Sequence, residues 1–124
     1  LSEKIIEILE NEKKWIINYF IFLLNLLKII GYDIDYQKNT SKDYLNLDSL
    51  QFSNLSIAKS IKFPHLLLNS KNDINLENAN SFFKVFEIIL QNHHLNNMNL
   101  NIPTNYFKFK KIILNFLIKN EKHN

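Results

Sequence analysis

Four kinds of side chain in this sequence could do chemistry: the carboxylate pair Asp33 and Asp35, the adjacent imidazoles His93 and His94, scattered serines, and a C-terminal group of lysines. Two carboxylates two residues apart just past a helix end could hold a cation. No further carboxylates follow at calcium-loop spacing, so a solvated turn is the plainer reading. Adjacent histidines on a helix point about 100° apart and chelate one metal poorly without a third ligand; near a helix C-terminus a partly charged imidazole is the alternative. No serine stands in a Gly-flanked elbow, and one Gly in the whole chain cannot make a Gly-rich phosphate loop. Cys is absent, which removes disulfides, thiolate metal sites and cysteine nucleophiles together and fits a reducing compartment, the cytoplasm by default. The chain reads as a non-enzyme with no cofactor and no metal.

The lysines are the remaining signal. Residues 105–124 carry five Lys (Lys108, Lys110, Lys111, Lys119, Lys122) and one Glu, net +4, whereas residues 1–104 carry ten Lys and eleven acids, net −1. Lys108, Lys111, Lys119 and Lys122 follow at i, i+3, i+11 and i+14, which puts four of the five on one face of a helix. Such a face suits nucleic acid or another anionic partner; a solvated Lys-rich face is the alternative. Twenty Asn, eighteen Ile and fifteen Lys with no Arg are the residues of AT-rich codons, so the Lys count by itself says little about function. A net charge of +3 is too small for a global argument about partners.

The elements that must position these groups are mostly helical, in one domain. Ser2 and Glu3 suit the start of a short helix with Ile5, Ile6, Ile8 and Leu9 on its apolar face, and Asn11 and Glu12 offer a break and a second cap. From Trp15 to Ile30 the polar residues Asn18, Asn25 and Lys28 align with Lys14 as a narrow wet stripe on a mostly buried helix. That run spans about 24 Å, short of the roughly 30 Å of a bilayer core, and contains Lys28, so a membrane span is rejected. Gly31, the only Gly, ends it in the left-handed conformation, with Tyr32 folding back. Alternating Leu45/Leu47, Leu50/Phe52 and Leu55/Ile57 predict two or three short strands, a hairpin-like insertion around residues 44–58 with turns at Asp48-Ser49 and Ser53-Asn54. Pro64 forces Phe63 out of helical geometry before the apolar plug of residues 65–70. Asn75 caps a second long helix with Ala79, Phe82, Phe83, Phe86, Ile89 and Leu90 inward and Asn80, Lys84, Glu87 and Gln91 outward. Residues 93–103 form a connection, and Pro103, Thr104 and Asn105 open a last helix with Phe109, Ile112, Ile113, Phe116 and Leu117 inward.

Four segments in order carry a resemblance. The aromatic-rich helix closing in LLKIIGYDID, then KFPHLLL (Lys62 to Leu68), FFKVFEIILQNHHL (Phe82 to Leu95) and NIPTNYFKFKKIILNFL (Asn101 to Leu117) resemble the C-terminal helical domain of the bacterial DNA-repair mediator RecO. The likeness covers nearly the whole chain, and order and spacing carry it. The chain departs from the family in lacking the ribbon cysteines that hold zinc in some members, in having Leu23 where an acidic residue is expected, and in having no Arg, which makes phosphate contacts point-charge contacts.

The resemblance implies a longer protein whose N-terminal OB-fold domain precedes Leu1. It implies a non-enzymatic role in DNA repair and recombination: binding single-stranded and duplex DNA, annealing strands coated by single-strand-binding protein, and helping RecA load together with RecR. It also implies that the helical domain receives the acidic, Phe-ended tail of single-strand-binding protein. A tail of that kind needs an apolar pocket beside cations, and the C-terminal lysines next to Phe107 and Phe109 are the local candidate. Two rivals stand beside it: a helical protein-interaction module with no nucleic-acid role, and a peripheral module whose basic last helix lies on anionic lipid. The hydrophobic faces read as core faces, which ranks the lipid reading last.

Overall fold

The spine of the molecule is α1, Glu3–Ile29, one unbroken helix in a computed structural model that describes residues 3–69 and 74–121. The break expected at Asn11 and Glu12 does not occur. Both residues are exposed, and an Asn inside a helix costs less than about 0.7 kcal/mol relative to Ala, too little to end one whose later turns are anchored in a core. The Ser2 cap lies outside the described residues, as do the side chains of Ile5, Ile6 and Leu9.

α1 buries Ile16, Phe20, Leu23, Leu24 and Leu27, a stripe at i, i+4, i+7, i+8 and i+11. Lys14, Asn18, Asn25 and Lys28 are all exposed, as their alignment predicts. The expectation of a mostly buried helix is corrected, however: Trp15, Phe22, Leu26 and Ile29 are 45%, 58%, 37% and 81% exposed. Among the described residues, the core packs on one side of α1. The helix ends as expected: Gly31 has φ +109°, Gly31 N–H donates to the Lys28 carbonyl at 3.1 Å, and Tyr32 N–H donates to the Leu27 carbonyl at 2.8 Å. Those two bonds are a Schellman closure, which only a residue tolerant of positive φ makes without strain.

Three short strands follow. β1 (Tyr44–Asn46) pairs antiparallel with both β2 (Phe52–Ser53) and β3 (Ser60–Lys62), in the order β2-β1-β3. Leu45 lies opposite Phe52 and Ile61 and is fully buried. The Asp48-Ser49 turn forms because Asn46 Oδ1 accepts from the N–H groups of Asp48 and Ser49, each at 2.9 Å. The sheet outruns the expected 44–58: its third strand is Ser60–Lys62, and Leu55 and Ile57, read as strand residues, are exposed in the connecting loop. Ser53 accounts for that, since its Oγ accepts from Leu55 N–H at 3.3 Å and donates to the Leu55 carbonyl at 3.0 Å, turning the chain out of the ladder.

Phe63 donates its N–H to the Asp43 carbonyl at 2.8 Å and is buried, and after Pro64 the chain makes the single helical turns of α2 (His65–Asn69), which bury Leu67. α3 (Leu76–Ile88) starts at Asn75, whose Oδ1 accepts from Asn78 N–H at 2.8 Å. Ala79, Phe82, Phe83, Val85 and Phe86 are buried. The connection expected from His93 instead continues the helix, as a π-helical turn Ile89–Leu95 and a 3-10 turn Asn96–Met98 that closes at Asn99 with φ +55°. His93 and Tyr32 hold it there: His93 Nε2–H donates to the Leu47 carbonyl at 2.6 Å, and Tyr32 Oη donates to the His93 carbonyl at 2.7 Å. α4 (Thr104–Glu121) buries Ile113 and Leu117. Ile112, expected inside, is 62% exposed.

Phe20 sits at the centre of the core with its ring 4.4 Å from Phe82 and edge-on to Phe83 at 5.2 Å, centroid to centroid. Phe20→Ala is therefore expected to cost about 3–5 kcal/mol of stability, whereas Phe22→Ala, one half-turn away on the bare side, is expected to change it by less than about 0.5 kcal/mol. Urea denaturation of the two variants beside wild type measures the difference; equal losses would mean that α1 is rotated from the orientation described.

Candidate functional site

The five C-terminal lysines do not share one fate. Lys108, Lys111 and Lys119 are exposed, and among the described residues they form no ion pair. Lys110 points the other way around α4 and meets α3: its Nζ lies 2.8 Å from Glu87 Oε2, with 24% and 22% of the two side chains exposed, and 5.6 Å from the centre of the Phe83 ring. Tyr106 Oη donates to the same carboxylate oxygen at 2.9 Å. Glu87, expected on a wet face, is thus the bond between α3 and α4, and Lys110 is removed from the candidate binding set because its charge is already matched. Lys122 lies outside the described residues.

Phe107 and Phe109 are likewise separated. Two residues apart on a helix, they point about 160° away from each other. Phe109 is half-buried against Tyr19 and Trp15, with centroids at 4.8 and 5.3 Å. Phe107 lies on the opposite flank, edge-on to Tyr106 at 5.1 Å and beneath the Lys110 ammonium at 5.8 Å. Phe107 and Phe109, expected together as apolar neighbours of the lysine face, thus stand on different flanks of α4.

What α4 does assemble is a different surface. At about 100° per residue, Ile112 falls between Phe109 on one side and Lys108 and Lys119 on the other. The α1 aromatics Trp15 and Tyr19 meet Phe109, and on α4 the exposed Ile112 stands between Phe109 and the two lysine positions. This arrangement can take up a chain with an apolar or aromatic group next to negative charge. Sequence reasoning found the lysines through their spacing. It missed the partner surface because the exposed α1 residues are as apolar as the buried ones.

The remaining candidates resolve into local roles. His93 and His94 brace the fold, with His94 Nδ1 3.3 Å from Tyr32 Oη. Asp33 and Asp35 are exposed at a cleft of about 420 Å³ that also carries Lys28 and Lys38. No group of three or more His, Asp or Glu among the described residues is arranged to hold a metal. A second cleft, of about 390 Å³, lies beside His65 between Thr40, Asp43, Lys62, Glu77 and Ser81. There His65 Nε2–H donates to the Lys42 carbonyl at 2.8 Å. Among the described residues no helix is long and apolar enough to cross a membrane. Comparison of the chain with protein-family models, with curated proteins and with solved structures finds no match.

Burial, the neighbouring Glu87 carboxylate and the hydrogen bond to it all hold the Tyr106 hydroxyl far above its usual pKa of 10.0. The folded state therefore keeps a proton that the unfolded chain releases, so this contribution is complete below pH 10.0 and is lost progressively as pH rises above it. Tyr106→Phe is expected to cost about 1 kcal/mol at neutral pH, for the lost hydrogen bond, and to destabilise less steeply than wild type in alkali. Denaturation midpoints followed from neutral to strongly alkaline pH check this; parallel curves would contradict it.

Proposed function

We propose that this chain is the non-enzymatic helical domain of a RecO-like DNA repair and recombination mediator, and that its working surface is the outer flank of α4. The observation that carries the reading is the pairing of uncompensated charge with bare apolar surface: Lys108, Lys111 and Lys119 are exposed without ion-pair partners among the described residues, beside the exposed Ile112. Phosphates on such a face meet point charges, which attract any sequence alike. An acidic peptide ending in Phe finds cations for its carboxylates and an apolar seat for its ring. In this reading the partners are single-stranded and duplex DNA, the tail of single-strand-binding protein and, through the larger protein, RecR, and the activity served is strand annealing and RecA loading.

One observation favours a second reading, a helical protein-interaction module with no nucleic-acid role. The bare surface is larger on α1 than on α4, and α1 between Trp15 and Ile29 offers only Lys28 as a charged group.

The test is fluorescence anisotropy of a labelled single strand and, separately, of an acidic Phe-ended peptide, titrated at several salt concentrations. Wild-type protein is expected to bind both, with a log-log salt slope of about 2 for three phosphates of a single strand. The triple variant Lys108→Gln, Lys111→Gln, Lys119→Gln is expected to weaken both and to flatten the slope, while Lys110→Gln lowers stability and leaves binding in place. Loss of the peptide alone assigns the face to a protein tail. Unchanged binding in both assays overturns the proposal.

A further inference from the structure

The bare apolar residues of α1 are not scattered. Ile8, Trp15, Phe22 and Ile29 recur every seven residues, and Leu26 and Tyr19, the latter half-buried under Phe109, interleave with them, so that from Trp15 to Ile29 the spacing runs four, three, four, three. A mean period of 3.5 residues is the seam of one helix lying along another, and it differs from the stripe at 16, 20, 23, 24 and 27 that faces the domain's own core. The seam is about 21 Å long. At about 200 Å² per large side chain, the exposed fractions of Trp15, Phe22, Leu26, Ile29 and the adjoining Ile112 leave on the order of 500 Å² of apolar surface in water, the upper end of what a monomer leaves bare. A standard interface takes roughly 800 Å² from each partner, so the seam and its border supply most of one side.

The border says what the partner is. Asn11, Asn18 and Asn25, all exposed, run beside the seam at the same seven-residue period, and Lys14 and Lys28 lie further round the helix from it. A line of Lys or of Glu would repel its own copy, whereas a carboxamide carries both donors and an acceptor and pairs with another carboxamide. We infer that the α1 seam is the contact of a two-fold dimer, in which α1 of one chain packs along α1 of a second copy with the Asn lines at its edge. The inference is independent of the DNA-repair reading, because it uses neither the lysines nor any property of nucleic acid.

Sedimentation equilibrium over a wide protein concentration range, at low and high salt, tests it. The expected result is a reversible dimer that high salt does not dissociate, since apolar and neutral groups make the contact. Phe22→Asp places a charge in the centre of the seam and is expected to weaken the dimer more than about tenfold, with an unchanged circular dichroism spectrum because Phe22 touches little of the core. Asn18→Lys is expected to weaken it also, by setting like charges against each other. The triple variant Lys108→Gln, Lys111→Gln, Lys119→Gln is expected to dimerise as wild type does, so failure of the DNA-repair reading and failure of this one are seen separately. A monomer at every concentration, or a dimer indifferent to Phe22→Asp, overturns the inference.

Discussion

Phe20 is the residue around which the chain closes, and its contact with Phe82 and Phe83 sets which side of α1 faces inward. A helix of 27 residues is about 40 Å long, and the elements that follow it are too short and too few to surround it. The sheet is three short strands, α2 is five residues, and α3 and α4 lie against one side. A helix that is apolar on more than half of its circumference but covered on one side necessarily leaves apolar surface in water. The main surface features of this molecule follow from that mismatch between the composition of α1 and the cover available to it.

The second fixed point is the carboxylate of Glu87, which accepts hydrogen bonds from Lys110 and Tyr106. Those two bonds lock the rotation of α4 about its own axis. With Lys110 drawn toward α3, the 100° step of the helix sends Lys108, Lys111 and Lys119 outward and leaves the exposed Ile112 between Phe109 and Lys108 around α4. The ion pair thus takes Lys110 out of the proposed binding face and leaves Lys108, Lys111 and Lys119 on it. A third tie joins the sheet to the helices, where His93 reaches the Leu47 carbonyl and Tyr32 reaches the His93 carbonyl. The π-helical turn that carries His93 is the local distortion through which α3 meets both.

Much of this is legible in the amino-acid sequence. Gly31 ends α1 and Asn75 begins α3 because each position needs a backbone or side-chain property that few residues supply. The insertion around Leu45 was legible from alternation, but its third strand was not, because Ser60, Ile61 and Lys62 are too short a run to show a period. The break expected at Asn11 and Glu12 failed for a different reason: local propensity is weak, and a core contact several turns away overrides it. The face of Ile112 and the exposure of Phe22 and Ile29 could not be read at all. Periodicity tells which residues share a side of a helix, and it is silent on whether a neighbour covers that side. Spacing groups Lys108, Lys111 and Lys119, which are exposed, with Lys122, which lies outside the described residues, yet the pairing of Lys110 depends on Glu87, 23 residues away in sequence.

α1 carries two apolar faces, one packed and one bare, and Trp15 is placed to report on the bare one. It is the only Trp in the chain, it is nearly half exposed, and it lies on the bare face against Phe109. The direct measurement is Trp15 fluorescence in dilute solution, with quenching by acrylamide, repeated as protein concentration is raised. The expected result is red-shifted, readily quenched emission when dilute, shifting to the blue with falling quenchability as the bare face becomes covered. Emission that is blue-shifted and protected at every dilution would mean that Trp15 is buried within a single chain and would contradict it.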